Sequence, residues 1–128
     1  MPNVFVSYRE SDAVKARRLA SDLSTAGHRV WFAEWEISLG DSIVGKINQG
    51  LGQAQYLVLC CSKDGQDSPW MSREWMSALA CQLDGHGVRI LPILLSGGAP
   101  PPILADLRYA DLMIDWNKGL RELLTAIK

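Results

Sequence analysis

Trp70 and Glu74 are the two residues whose spacing most invites chemistry. Ser68-Pro69 before them reads as a helix start, a capping hydroxyl followed by proline at the first helical position. A helix is predicted from Trp70 to about Leu83, stopping at Gly85. Residues four apart on a helix share a face, so an indole and a carboxylate stand side by side. At the mouth of a cleft such a pair holds a flat base and a sugar diol. The plainer reading makes Trp70 a core residue and Glu74 a solvated helix acid, paired with Arg73 or with nothing. Spacing alone leaves both readings open.

Several other chemistries lack their residues. The first strand is followed by Ser7-Tyr8-Arg9-Glu10. With no glycine there, neither a dinucleotide fingerprint nor a Walker phosphate loop fits. A phospho-receiver site needs acids at the ends of the first and third strands, where Ser7-Tyr8 and Cys60-Cys61-Ser62 stand instead. No Gly-x-Ser-x-Gly elbow occurs, and neither His28 nor His86 falls on the ligand edge for a Ser-His-Asp triad. Both histidines are isolated and no Cys-x-x-Cys occurs, so no metal site is expected. Cys60 and Cys61 are adjacent and would bridge only under strain. With Cys81 they read as thiols kept reduced in a cytosol.

The elements that must position the site alternate. Val4-Phe5-Val6 is a short strand, and Ser11 or Asp12 caps the helix after it. Ala16, Leu19, Ala20 and Leu23 follow the i, i+3, i+4, i+7 rule, and Gly27 supplies a left-handed stop. Arg29 to Phe32 is the second strand, followed by a loop from Ala33 to Gly40. Asp41 or Ser42 caps a helix carrying Ile43, Ile47 and Leu51 on one face. Gln55 to Cys61 is nearly all apolar, as in a central parallel strand covered on both faces. Arg89 to Leu95 is a fourth strand in which Pro92 costs a ladder bond unless it faces outward or sits at a bulge. Leu112 to Asp115 is predicted as a short fifth strand, and Gly119 to Ile127 as a closing helix with Leu120, Leu123, Leu124 and Ile127 inward. Strands joined by helical crossovers imply an α/β fold: a flavodoxin-like three-layer sandwich. Its parallel sheet has five strands in the order 2-1-3-4-5, with helices on both faces. Ligands gather at the carboxyl ends of such strands.

The bulk properties agree. The 128 residues suit one domain, read as 1-128, that buries about two-thirds of its unfolded surface. Thirteen basic residues against fourteen acidic leave a net charge of −1, too little for a whole-domain grip on nucleic acid. No apolar run approaches the roughly 20 residues of a membrane span. The opening Met1-Pro2-Asn3 does not read as a signal peptide. The expected place is therefore the cytoplasm, with neither membrane nor nucleic acid as partner.

Taken in order, the motifs resemble those of Toll/interleukin-1 receptor (TIR) domains. Val4 to Asp12 resembles box 1. Val30-Trp31-Phe32 followed by Glu36 to Ile43 resembles the second strand and BB loop, and Tyr56 to Ser62 the third strand. Ser68 to Glu74 resembles the Trp-x-x-x-Glu segment of the catalytic branch, and Arg89 to Ile93 the Ile-Pro-Ile strand. The likeness is collinear over essentially the whole chain. One branch of the family consists of scaffolds that assemble through TIR–TIR contacts. Another cleaves NAD⁺ at the nicotinamide–ribose bond, and bulky Trp31, Trp35 and Trp70 look more like its bacterial effectors than an animal receptor tail.

What this resemblance implies is specific. Glu74 is the catalytic carboxylate, Trp70 walls the nicotinamide or ribose, and Tyr8 and Arg9 line the cleft, with Arg9 available to the pyrophosphate. Phe32 and Trp35 join the substrate-binding group. For Arg9 the alternative is an ion pair with Glu10 or Asp12. NAD⁺ is a substrate, and no cofactor is implied. The loop Trp35 to Gly40 reaches a neighbouring copy and helps complete its site, through Trp35, Ile37, Leu39 and Gly40. Otherwise its apolar side chains fold back on the core. Glu34 and Glu36 read as solvated, or as a second cleft acid. The expected activity is an assembly-activated NAD⁺ glycohydrolase in bacterial antiphage defence, giving nicotinamide and ADP-ribose or a cyclic isomer. The alternative is a non-catalytic TIR–TIR scaffold, and a weaker third reading is a nucleoside deoxyribosyltransferase. Ser38 and Leu39 precede Gly40 where some family members carry an acid, which leaves hydrolysis and cyclisation both open.

Overall fold

The first strand, β1 (Asn3–Ser7), has β2 (Arg29–Phe32) on one side and β3 (Tyr56–Cys61) on the other, both parallel to it. β4 (Arg89–Leu94) follows β3, and the two-residue β5 (Ala110–Asp111) follows β4. The sheet order is therefore β2-β1-β3-β4-β5, the order expected from the alternating pattern. This is a computed structural model, and it describes residues 3–8, 12–61, 89–95 and 108–127. The helices among these are α1 (Ala13–Thr25), α2 (Ala33–Glu36), α3 (Ile43–Gln53) and α4 (Trp116–Ala126). The helix predicted from Trp70 to Leu83 lies outside the described residues.

Strand alternation divides the core into two faces. Val4, Val6 and Tyr8 of the first segment, Val58 and Cys60 of β3, and Ile93 and Leu95 pack with α1 and α4. Leu57 and Leu59 point the other way and are equally buried, so β3 is covered on both sides. The α1 stripe of Ala16, Leu19, Ala20 and Leu23 is fully buried, as its spacing requires. Gly27 ends that run at φ +98, where a side chain would be strained. On the opposite face Trp31 stacks flat on Phe5, with ring centroids 4.4 Å apart. α4 is tied to α1 by polar contacts as well as by Leu123 and Ile127. Trp116 Nε1 donates to Asp22 Oδ2 at 3.0 Å, and the Arg18 guanidinium sits 4.2 Å over the Trp116 ring.

Pro92 lies in a buried, paired strand without violating the ladder. Arg89 N donates to Gln55 O, so the odd-numbered residues of β4 turn their backbone groups toward β3. Leu94 O accepts from Leu112 N, so the even-numbered ones turn toward β5. Pro92 belongs to the second set, and β5 begins to pair only at Ile93. The missing N–H therefore faces an edge where the β5 ladder has not started.

Three expected boundaries move. The segment from Ala33 was expected as loop, yet Ala33–Glu36 makes one helical turn closed by Ile37 N on Ala33 O. The fifth strand lies at Ala110–Asp111, not Leu112 to Asp115. Asp111 Oδ1 accepts from Met113 N, a side-chain turn that ends the strand and leaves Met113 and Ile114 exposed. The last helix begins at Trp116 rather than Gly119, because Asp115 Oδ1 accepts from Lys118 N and caps it. Gly119 sits inside α4 where it crosses β5, and a Cβ there would lie 2.8 Å from the Asp111 backbone oxygen. Overpacking against backbone costs about 1–3 kcal/mol, more than the roughly 1 kcal/mol of helix propensity that alanine returns. Gly119→Ala is expected to lower the melting temperature in a thermal unfolding scan.

Candidate functional site at the carboxyl edge of the sheet

β1 and β2 deliver a row of aromatic rings to the edge where ligands gather in parallel sheets. Val6 pairs with Phe32 in register, so Tyr8, two residues on, leans diagonally over the same face. The Tyr8 and Phe32 rings stack at 4.6 Å and 21°. Phe32 in turn meets Trp35 of α2 edge-on, at 5.2 Å and 65°. Tyr8 is buried, Phe32 is wholly buried, and Trp35 is 46% exposed. The row thus runs from core to surface and offers its apolar area at Trp35. Phe32 was expected among residues touching a substrate. Its ring instead backs Tyr8 and Trp35 and presents no surface of its own.

Glu34 is not a free acid of the cleft. Arg17 Nε donates to its Oε2 at 2.8 Å and Arg17 Nη2 to its Oε1 at 2.7 Å. Those hydrogen bonds hold the Glu34 carboxyl below its usual range and raise the Arg17 guanidinium. A folded-state pKa below the unfolded one gives stabilisation that is present above the ordinary glutamate range and lost as pH falls through the depressed value. An NMR titration should place the Glu34 carboxyl midpoint below the ordinary glutamate range, and Arg17→Gln should move it back up toward that range.

Beyond α2 the loop is shaped by its own polar groups. Ser38 N donates to Asp41 Oδ2, Asp41 N donates to Ser38 O, and Gly40 between them takes φ +91. Ser42 Oγ then accepts from Gly45 N and caps α3, so Ser42 rather than Asp41 is the cap. The two readings of the alternating apolar side chains divide by residue. Leu39 is completely exposed, Ile37 is half-buried, and Trp35 rests one edge on Phe32.

Two further groups at this edge differ from the sequence reading: Asp12 was a candidate cap, and Lys15 was not singled out. Asp12 occupies the cap position of α1 and is buried, yet its side chain does not cap the helix, and among the described residues Oδ2 has no hydrogen-bond partner. Lys15 Nζ donates to Leu95 O at 2.9 Å, joining the first turn of α1 to the end of β4. A lysine in a helix's first turn opposes the dipole, and that was the one available signal of a partner elsewhere. Glu74, Trp70 and Arg9 lie outside the described residues. Among the described residues no group of three or more His, Cys, Asp or Glu side chains is placed to hold a metal. None of the described helices is long and apolar enough to cross a membrane.

The sequence pattern of the family described as TIR domain matches residues 4–124. This chain belongs to the TIR-domain family. Its fold agrees: the TIR domain of the Toll-related receptor TRR-2 from Hydra magnipapillata superposes with a TM-score of 0.78 at 18% identity, covering 99% of this chain and 98% of that one. Among curated proteins, this TIR domain is 36% identical over 90 residues to the 2' cyclic ADP-D-ribose synthase BtTIR of Bacteroides thetaiotaomicron, covering 70% of this chain and 31% of that protein. It is 33% identical over 92 residues to the NAD(+) hydrolase TcpA of Theionarchaea archaeon (strain DG-70-1), covering 71% and 28%. The TIR chain thus matches about a third of the length of these relatives.

Proposed function

We propose that this TIR domain cleaves NAD⁺ at the nicotinamide–ribose bond. The observation that carries the reading is its 33–36% identity, over some 70% of its length, to proteins named for NAD⁺ hydrolysis and for cyclic ADP-ribose synthesis. Glu74 is the catalytic carboxylate, and Trp70 and Trp35 wall the nicotinamide and ribose. Tyr8 and Arg9 border the cleft, with the Phe32 ring stacked behind Tyr8.

The chemistry needs little else. Ordinary glycosidases pair two carboxyl groups, one of which protonates the leaving oxygen. In NAD⁺ the nicotinamide is already cationic. Its bond to the ribose carbon breaks with both electrons going to the ring nitrogen, and it departs neutral. The positive charge left on the ribose is stabilised by a carboxylate at the 2′ and 3′ hydroxyls, which also fixes the sugar. Water then adds and releases a proton, giving ADP-ribose. Attack by a hydroxyl of the same molecule gives a cyclic isomer instead.

Activity in this reading depends on self-assembly of TIR domains through the loop carrying Trp35, Ile37, Leu39 and Gly40, in the bacterial cytoplasm and in antiphage defence. Incubating clustered protein with NAD⁺ tests it. Nicotinamide release that disappears with the Glu74 carboxylate supports the enzyme. Self-association without any release supports the scaffold reading, and release of base from deoxynucleosides alone supports the transferase.

A further inference from the structure

α2 consists of four residues, and none of them is buried. A single helical turn does not persist unaided, because fixing its dihedrals costs more than its few hydrogen bonds return. One support is apolar, the edge contact of Trp35 with Phe32. The other is the fork made by Arg17 on both oxygens of Glu34, at 2.8 and 2.7 Å. A planar guanidinium gripping both oxygens sets orientation as well as distance, which a lysine does not. Arg17 projects from a fixed platform, since its neighbours Ala16, Leu19 and Ala20 are fully buried. The next residue, Arg18, is engaged with Trp116 on α4 and is not an alternative partner.

We propose that Arg17 is a positioning residue acting through Glu34: it holds α2 against α1, and so fixes Trp35 and the entry of the 37–40 loop. Glu34 belongs to the same device and not to the catalytic acids. The consequence for catalysis rests on the NAD⁺-cleaving reading above; the consequence for the loop does not. With side-chain exposures of 50% and 36%, the pair is worth a modest factor. That suits a contact that tunes a loop rather than one that holds the fold.

The test uses amide hydrogen exchange, which reads the segment directly. In Arg17→Gln and in Glu34→Gln, amides of residues 34–39 are expected to exchange about 2- to 5-fold faster, with β1 and β3 unchanged. Arg17→Lys keeps the charge, loses the fork and falls between. The charge swap, Arg17→Glu with Glu34→Arg, restores slow exchange. Added salt accelerates exchange here in the wild type but not in Arg17→Gln. On clustered protein the single variants raise KM for NAD⁺ by the same factor of about 2 to 5 and leave kcat near its original value. Unchanged exchange in both single variants overturns the proposal, and so does a swap that fails to restore. Acceleration spread equally over the whole sheet overturns it as well. Should wild-type protein release no nicotinamide, the enzymatic reading fails alone, and the exchange data still decide the role of Arg17.

Discussion

Clustered protein carrying Glu74→Gln is expected to release nicotinamide from NAD⁺ about 10²- to 10³-fold more slowly than the wild type. Glutamine keeps the shape and much of the hydrogen-bonding capacity of glutamate and removes only the charge. The charge is what the departing pyridinium requires. It leaves a ribose cation behind, and an anion beside the 2′ and 3′ hydroxyls is the group that lowers that barrier. No proton is delivered to the leaving group, so the wild-type rate should also stay flat from about pH 6 to 8, well above the ordinary range of a carboxylate. A general acid would instead give a falling limb as it lost its proton. Chromatographic measurement of nicotinamide reads both quantities. Glu74→Gln at full wild-type rate removes Glu74 from the mechanism. A falling limb in that window would mean that a second ionising group takes part.

The framework was legible because burial leaves a periodic trace. The α1 stripe at i, i+3, i+4, i+7 and the apolar run of β3 each record which faces are covered: Ala16, Leu19, Ala20 and Leu23 are buried, and so are Leu57 to Cys60. What escaped was set by single side-chain contacts, which have no period. α2 is one turn long, too short to show an amphipathic face. The fifth strand was displaced because Asp111 turns the chain onto its own carboxylate. Asp115, read as the end of a strand, is the cap of a helix. In the site, Tyr8 and Phe32 were readable as residues at neighbouring strand ends, but not as a stack, since stacking depends on the register between strands. The Arg17–Glu34 fork joins residues 17 apart on two different helices, and no pattern in the chain announces it. The Trp70–Glu74 pairing and the role of Arg9 were read from spacing and family likeness, and lie outside the described residues.

Leu39→Asp is expected to weaken self-association and NAD⁺ cleavage together while leaving the fold intact. Leu39 is 106% exposed, so the folded domain loses no contact when it changes. Thermal stability should stay within about 0.5 kcal/mol of the wild type. A leucine buried between copies contributes about 1.5–3 kcal/mol, and an aspartate in its place adds the cost of desolvating a charge. Each 1.4 kcal/mol is about tenfold in affinity, so association weakens by roughly 10- to 100-fold or more. In a head-to-tail assembly every copy uses the same loop, and the loss repeats at every contact. Ile37→Asp makes the contrast, because Ile37 is half-buried and its replacement lowers stability as well. Analytical ultracentrifugation beside a nicotinamide assay separates the two variants. Artificial clustering of Leu39→Asp then distinguishes two jobs for the loop. If the loop only recruits copies, enforced proximity restores cleavage. If it completes the neighbour's active site, as this reading holds, proximity brings the copies together and cleavage does not return.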